Sequence, residues 1–153
     1  MVEIFNTAFE VSLRVLLVLE SAKERHLTSD MIVVTDFISV YGKDFGLSDV
    51  NLHGDNNYKF GEFALRRELV REAIKFLVLD GYVNAHYDER GFHYCISGQG
   101  HDFSFGLTSN YAYKYRSCVR NTHEYLCNMT ERDILNMINN RAVHPFREGE
   151  TNV

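Results

Sequence analysis

Residues 52–81 have the sequence LHGDNNYKFGEFALRRELVREAIKFLVLDG, and this stretch decides the fold. It begins as a polar loop and passes through Gly61 into a segment whose apolar residues recur at helical spacing. The main apolar stripe consists of Phe63, Val70, Ile74 and Leu77. The segment closes at Asp80-Gly81, and a glycine at this position is typical of a left-handed helix end. The stretch therefore predicts an amphipathic helix over about residues 62–80.

The flanking segments place this helix third in a winged-helix-like unit. A first helix, capped by Thr7 with Glu10 in a capping box, should run to about Lys23. A second, capped by Thr28 or Ser29, should cover about residues 30–41. Its many β-branched residues leave a strand as the competing prediction, and its length favours a helix. After Gly81, two apolar runs at 82–87 and 92–97, joined by a polar turn, predict a hairpin or wing at about 82–97.

The C-terminal third adds helices rather than strands. We expect a connector at 98–108, helices at about 110–126 and 131–140, and a flexible tail at 141–153. The predicted fold class is therefore mainly α with a small β-hairpin. It would be one winged-helix-like domain over residues 1–140 with two C-terminal helices.

Composition restricts the class of protein. The chain has 153 residues, 45% of them hydrophobic, which suits one globular domain. Its net charge of −5 argues against a protein that binds nucleic acid alone, although a local basic patch would suffice. Three cysteines without tight spacing do not form a disulfide framework. No segment resembles a signal peptide or a membrane span, so we expect a cytoplasmic protein that does not use a membrane.

The loop at 42–61 is unusually long for a compact domain, and such loops are often functional. We expect its Asp44, His53, Asp55, Tyr58 and Lys59 to contact a partner. A metal site formed by its His and Asp side chains is possible in principle, but the spacing matches no known metal loop. Turns built by Asp and Asn side chains are the simpler explanation.

No pattern indicates catalysis or a bound cofactor. The pairs His93–Cys95 and His123–Cys127 could meet as a zinc site, but they lack the spacing of zinc motifs, and cysteine is usually a small buried apolar residue. Nucleophile, dinucleotide and phosphate-loop motifs are absent from the sequence. We therefore predict no catalytic, cofactor-binding or metal residues. If ATP is involved, another chain binds it.

Two helical faces are candidates for binding. Arg67, Arg71 and Lys75 recur every four residues and could neutralise phosphates. Glu68 and Glu72 alternate with them, however, so internal ion pairs and a protein contact are favoured over DNA. On the helix at 110–126, Tyr113, Arg116 and Arg120 should point outward together. They could stack on single-stranded bases, but these residue types also dominate protein interfaces, which we favour.

Several residues give the chain a resemblance to a known family. The start of the chain resembles the start of the middle components of bacterial ABC-three-component systems. The residues that carry this likeness are Asn6, Phe9-Glu10, Leu13-Arg14 and Leu16. A second set of residues resembles the family's central signature. It consists of Tyr41 to Gly46, Leu52-His53, Tyr58, Gly61-Glu62 and Arg66-Arg67-Glu68-Leu69. The resemblance covers about residues 6–97. The family often has proline after the histidine and around the aromatic residue, where this chain has Gly54 and Asn56-Asn57.

The resemblance implies a non-catalytic accessory subunit, as in Lamassu-type antiphage defence. Such a subunit would bridge an SMC-like ATPase and an effector that is often a nuclease. The ATPase would hold ATP and magnesium. The subunit would keep the effector inactive until foreign DNA is sensed. The expected partner-contact residues are Asp44, His53, Asp55, Tyr58, Lys59, Glu62, Arg66, Arg67, Arg71, Tyr113, Arg116 and Arg120. Lys75 and Arg90 are candidates for DNA contact within the complex. Glu10 and Arg14 should brace the core. Arg67→Glu should abolish co-purification with the ATPase while leaving the fold intact. The alternative is a winged-helix DNA-binding transcriptional regulator.

Overall fold

The computed structural model describes residues 7–56 and 58–143, without the side chains of residues 142 and 143. Six α-helices, one 3-10 helix and one two-stranded sheet form this part of the chain. In chain order they are α1 (Ala8–Ala22), α2 (Ser29–Val40), the 3-10 helix (Gly42–Phe45), α3 (Phe63–Leu79), β1 (Val83–Asp88), β2 (Gly91–Ile96), α4 (Gly98–Phe105), α5 (Asn110–Leu126) and α6 (Glu131–Val143). The predicted class, mainly α with a small β-hairpin, is confirmed.

Local capping explains why the first helices begin where they do. The Thr7 hydroxyl accepts a hydrogen bond from the Glu10 amide at 3.2 Å. Thr28 caps α2 in the same way, accepting from the Met31 amide at 3.2 Å. Each cap satisfies an amide that the helix itself leaves without a partner. The competing prediction of a strand at 30–41 is wrong, because this segment is the buried helix α2.

The end of α3 sets the direction of the hairpin. The Gly81 amide donates to Val78 O at 3.1 Å and the Tyr82 amide donates to Leu77 O at 2.9 Å. This pair of bonds is a Schellman motif, and it requires the left-handed φ of +84° at Gly81. The chain leaves α3 directly into β1, as the sequence predicts.

The hairpin is antiparallel, with its register running from Val83 opposite Ile96 to Asp88 opposite Gly91. A further backbone bridge joins it to the turn between α1 and α2. There the Leu27 amide donates to Tyr94 O at 2.9 Å, and the Tyr94 amide donates to Leu27 O at 2.8 Å. The turn that precedes α2 is therefore fixed against the second strand.

Two C-terminal expectations need correction. The predicted connector at 98–108 contains α4, which Ser97 caps by accepting from the Gly100 amide at 3.0 Å. α6 ends at Val143, three residues beyond the predicted end. The remaining residues of the predicted tail, 144–153, lie outside the described part of the chain.

The core surrounds α2, which lies between α1, α3 and α5. Six of its apolar residues are fully buried: Ile32, Val33, Val34, Phe37, Ile38 and Val40. A helix buried on every side leaves no apolar stripe for sequence periodicity to detect, which explains the ambiguity with a strand. Among the described residues, none of the helices combines the length and apolar character needed to cross a membrane.

Candidate functional site

A buried charge network lies where α1, α2, α3 and α5 meet. Asp36 on α2, only 1% exposed, accepts hydrogen bonds from Arg14 Nε at 2.9 Å and from Arg66 Nη1 at 2.8 Å. The hydroxyl of Tyr115 donates to the same carboxylate at 2.5 Å. These four residues, one from each helix, are the Asp36 network. The network joins the four helices around one carboxylate.

The ionisation of Asp36 follows from its neighbours. Burial alone would raise the pKa of the Asp36 carboxyl. The charges of Arg14 and Arg66, with the hydrogen bonds from Arg14 and Tyr115, outweigh burial and hold the pKa well below its usual range. Burial and the nearby Asp36 charge raise the pKa of Tyr115, so its hydroxyl stays protonated and donates. One carboxylate thus lies between two buried guanidinium groups.

His53 connects the 42–61 loop to this network. Its Nε2 lies 2.5 Å from the hydroxyl of Tyr111 on α5, and the Tyr111 ring stacks on that of Tyr115 with centroids 6.1 Å apart. Burial and then the positive charge of Arg14 lower the pKa of His53 to about 3. His53 is therefore a neutral, half-buried anchor of the loop at physiological pH, with one hydrogen bond already engaged inside the fold.

The rest of the loop is held by its own polar side chains. Asn51 Nδ2 donates to Asp44 Oδ2 at 3.2 Å and to Asp55 Oδ1 at 3.1 Å, while Asn51 Oδ1 accepts from the Lys43 amide at 3.0 Å. Lys59 Nζ forms an ion pair with Asp44 Oδ2 at 3.0 Å. These contacts tie the two ends of the segment from Lys43 to Lys59 together through Asn51 and Asp44.

Four of the predicted loop contacts, Asp44, Asp55, Tyr58 and Glu62, are exposed. The side chain of Tyr58 is 74% exposed. Glu62 is also exposed, and its carboxylate accepts from Asn56 Nδ2 at 3.1 Å. Lys59, in contrast, is half-buried, with its ammonium group near the rings of Tyr41 and Phe60. Among the predicted contacts, the loop therefore exposes Tyr58, Glu62, Asp55 and Asp44 to solvent but not Lys59.

Arg66 needs a correction, because it cannot contact a partner while it is 6% exposed and bonded to Asp36. Arg67 is half-buried, with Nε 3.3 Å from Asp30 Oδ1 and its guanidinium over the Phe63 ring. Glutamate at position 67 would face Asp30, so Arg67→Glu would disturb the fold as well as any partner contact. Arg67 is therefore a poor position for testing binding.

The solvent side of α3 combines paired charges with exposed apolar residues. Arg71 pairs with Glu68 at 3.3 Å, and Lys75 pairs with Glu72 at 3.6 Å. Beside these pairs lie Leu65, Phe76 and Leu79, which are 64%, 55% and 76% exposed. These seven residues are the outer face of α3.

A groove continues this face toward the hairpin. A cavity of about 380 Å³ lies between α3 and the strands, lined by the apolar side chains of Ile74, Val78, Leu79, Phe92 and Tyr94. Arg71 and Lys75 stand on its rim. Near the hairpin tip the exposed rings of Tyr87 and Phe92 are 4.8 Å apart, and Arg90 pairs with Asp88 at 3.4 Å.

The predicted face on α5 is only partly a surface. Arg116 Nε lies 3.1 Å from Glu20 Oε1, and the guanidinium also donates to the carbonyls of Ser104 and Leu107 at 2.6 Å. Arg116 therefore fixes the C-terminal end of α4 against α1 and is not available as a contact residue. Tyr113 and Arg120 are exposed, as expected.

Comparison with known proteins identifies the family. A family model described as ABC-three component (ABC-3C) system Middle Component 2 matches residues 4–148. The chain belongs to this family. No curated protein and no solved structure matches the chain. Membership of the Middle Component 2 family makes the chain an accessory component of a multi-subunit system, in which partner subunits are expected.

Much of the family resemblance lies inside the fold. Three residues that carry it, Arg14, His53 and Arg66, lie in or next to the Asp36 network. Asp36 itself was not among the site or core-bracing residues expected from the sequence. The available signal was an acid in the middle of the apolar run of α2, matched by Arg14 in the apolar run of α1. A buried charge usually has a buried partner of opposite charge. One acid and one base, each alone in an apolar helix, are therefore expected to form an ion pair.

Proposed function

We propose that this Middle Component 2 chain is a non-catalytic subunit of an antiphage defence complex of the Lamassu type. In this proposal it bridges the heads of an SMC-like ATPase and an effector, often a nuclease, and keeps the effector inactive until foreign DNA is sensed. ATP and magnesium belong to the ATPase. Family membership supports the existence of partners, and the outer face of α3 is the surface that best fits one of them.

The observation that carries this proposal is the composition of that outer face. Three large apolar side chains, Leu65, Phe76 and Leu79, are more than half exposed on a single helix. Exposed apolar residues grouped together are typical of protein contacts. The cations beside them are each paired with an acid three residues earlier, which reduces their attraction for phosphate. The face therefore favours a protein partner over DNA.

The chemistry of the partner follows from the groove. Its floor is apolar and its rim carries Arg71 and Lys75, both exposed. A complementary segment would insert an apolar side chain between α3 and the hairpin and place polar residues of both charges against the ion pairs of the rim. We assign this segment to the ATPase subunit.

Co-purification tests this assignment. The chain is co-expressed with its ATPase subunit as the wild type, as the double variant Phe76→Ser with Leu79→Ser, and as the control Phe105→Ser. Phe105 is 79% exposed on α4 and lies away from the groove. If Phe76 or Leu79 is a central hot spot of the interface, its truncation costs about 2 kcal/mol or more, so we expect at least a tenfold loss of bound ATPase for the double variant.

The control should retain the ATPase, and circular dichroism should show that both variants are folded. Retention of the ATPase by the double variant would place the interface elsewhere. Loss in Phe105→Ser alone would move the interface to α4 and would contradict the assignment.

A winged-helix transcriptional regulator remains the alternative, supported by the order of three helices followed by a hairpin. In that alternative α3 would enter a DNA groove, with Lys75 and Arg90 contacting phosphates. A gel shift of the isolated protein at physiological salt separates the two functions. Sequence-selective binding at micromolar concentration or tighter would favour the regulator, whereas the defence subunit should show none.

A further inference from the structure

Three imidazole rings and a thiol meet beside the hairpin. His86 and His93 are directly opposite each other on the two strands, and Cys95 lies two residues beyond His93 on the same face. His26, from the turn between α1 and α2, stacks on His86 with ring centroids 4.4 Å apart. These four residues are the histidine cluster.

Backbone hydrogen bonds place these side chains together. His26 immediately precedes Leu27, whose amide and carbonyl both pair with Tyr94, the residue between His93 and Cys95. The strand register in turn fixes His86 opposite His93. Backbone hydrogen bonds therefore fix the relative positions of His26, His86, His93 and Cys95.

The distances suit a transition metal. One ring nitrogen of His26, one of His86 and Cys95 Sγ all lie within 4.8 Å of one another. Cys95 Sγ and His86 Nε2 are 3.7 Å apart. Tetrahedral zinc, with bonds of ~2.3 Å to sulfur and ~2.0 Å to nitrogen, would hold such a pair roughly 3.6 Å apart. The sulfur and nitrogen are thus already near the spacing that a shared ion requires.

We propose that His26, His86 and Cys95 bind a zinc-class divalent cation, with His93 and Asp88 orienting His26. Imidazole and thiolate are the ligands that zinc prefers. Three protein ligands leave a fourth position for water or for a group from a partner. The proposal departs from the sequence-based expectation of no metal site, because His26 had no spacing signal and supplies the third ligand.

Hydrogen bonds around the cluster support this assignment. His93 Nε2 is 3.0 Å from Asp88 Oδ2, and His93 Nδ1 is 2.8 Å from His26 Nδ1. When both rings are neutral, His93 donates from Nε2 to the carboxylate and accepts at Nδ1 from His26. His26 then keeps a lone pair on Nε2 for a metal. A ligand histidine whose other ring N–H is held by a hydrogen-bond acceptor, here His93 Nδ1, is typical of zinc sites.

An open cavity gives an ion access to the cluster. It has a volume of about 640 Å³ and is lined by His26 and Cys95, together with the acids Glu20 and Glu24. Lys23 also lines it, and Glu20 is already paired with Arg116, so these side chains give the cavity no net negative charge and the ligand atoms alone must hold the ion. A bound ion would join the turn before α2 to the hairpin, on the face of the strands opposite to the groove.

Cobalt binding tests the site, because Co²⁺ replaces zinc and reports on its ligands by absorption. The full chain is stripped with a chelator and titrated with Co²⁺, then with Zn²⁺ in competition. We expect a thiolate-to-cobalt charge-transfer band and displacement of the cobalt by zinc. Absence of that band in the wild type would overturn the proposal.

Four variants locate the site. Cys95→Ser should abolish the charge-transfer band, and His86→Asn should weaken binding by more than about 100-fold. His93→Gln should weaken it by about 10–100-fold, as expected for a residue that only orients a ligand. Cys127→Ser, at an exposed thiol after α5, is the control and should bind like the wild type.

Retention of the band in Cys95→Ser, or its loss in Cys127→Ser, would place the thiolate ligand elsewhere and contradict the proposal. Folding of each variant is checked by circular dichroism. The exposure of His86 makes His86→Asn the second measurement if Cys95→Ser does not fold. The outcome is independent of the ATPase pull-down, so the two proposals can fail separately.

Discussion

At the residue scale, a single carboxylate decides how four helices meet. Asp36 is 1% exposed and accepts from Arg14, Arg66 and Tyr115. Two guanidinium groups are taken out of water around it, and this is costly unless their charge is compensated. Asp36 supplies that compensation, so removing its charge should be worse than removing either arginine.

Asp36→Asn tests this asymmetry. The variant leaves Arg14 and Arg66 facing each other without an anion, and breaking a buried ion pair in this way typically costs about 3–5 kcal/mol. Arg14→Met should cost less, because Asp36 keeps Arg66 and the apolar methionine fits the surroundings of Arg14. Urea denaturation gives the free energy of unfolding of each variant. An Asp36→Asn protein as stable as Arg14→Met would contradict this role for the carboxylate.

At the element scale, the prediction from sequence succeeded where local signals acted alone. Thr7, Thr28 and Gly81 mark helix ends through bonds to their own neighbours, and those ends are where the sequence placed them. α4 was missed because Gly98 and Gly100 lower helix propensity and suggest a loop. The reason for Gly100 lies outside the helix, in the hairpin against which α4 packs.

Gly100→Ala should separate α4 from the hairpin. A Cβ atom at position 100 would lie 2.1 Å from Tyr82 O and 2.9 Å from Ile96 Cγ1, so backbone must move. We expect a loss of about 1–3 kcal/mol of stability, the usual range for overpacking.

Gly98→Ala is the matched control on the same helix, since nothing lies within 4 Å of its added Cβ. It should be neutral or slightly stabilising, because alanine favours helix. Thermal unfolding of both variants measures the difference. Equal melting temperatures would show that the backbone near Tyr82 can move to accept the added Cβ atom at little cost. That result would contradict the prediction.

At the scale of the whole molecule, the sequence indicated the class of fold and the family but not which signature residues face solvent. His53, Arg66 and Arg116 are of residue types that often contact partners. In the fold, however, each forms a hydrogen bond to another part of the same chain. Their side-chain partners, Tyr111, Asp36 and Glu20, lie 58, 30 and 96 positions away in the sequence. Only packing brings them together, so residue type and helical spacing could not separate buried charges from exposed ones.

The stability of the whole molecule should depend on pH through His53. Its pKa is about 3 in the folded chain, against about 6.5 for an unperturbed histidine. Between these values the unfolded chain binds a proton that the folded chain does not, so this contribution is complete above about pH 6.5 and is lost as pH falls toward 3. The limiting slope from one such proton is about 1.4 kcal/mol per pH unit.

Urea denaturation between about pH 5 and pH 7 measures this slope, since aspartates with pKa near 3.9 stay ionised in both states there. His53→Gln should give a shallower slope than the wild type, while the control His101→Gln, at an exposed site on α4, should keep it. Some slope should remain in His53→Gln, because burial also lowers the pKa of His26 and His123. Identical slopes for His53→Gln and the wild type would mean that His53 is not held neutral by the fold, and the loop would then lack its anchor on α5.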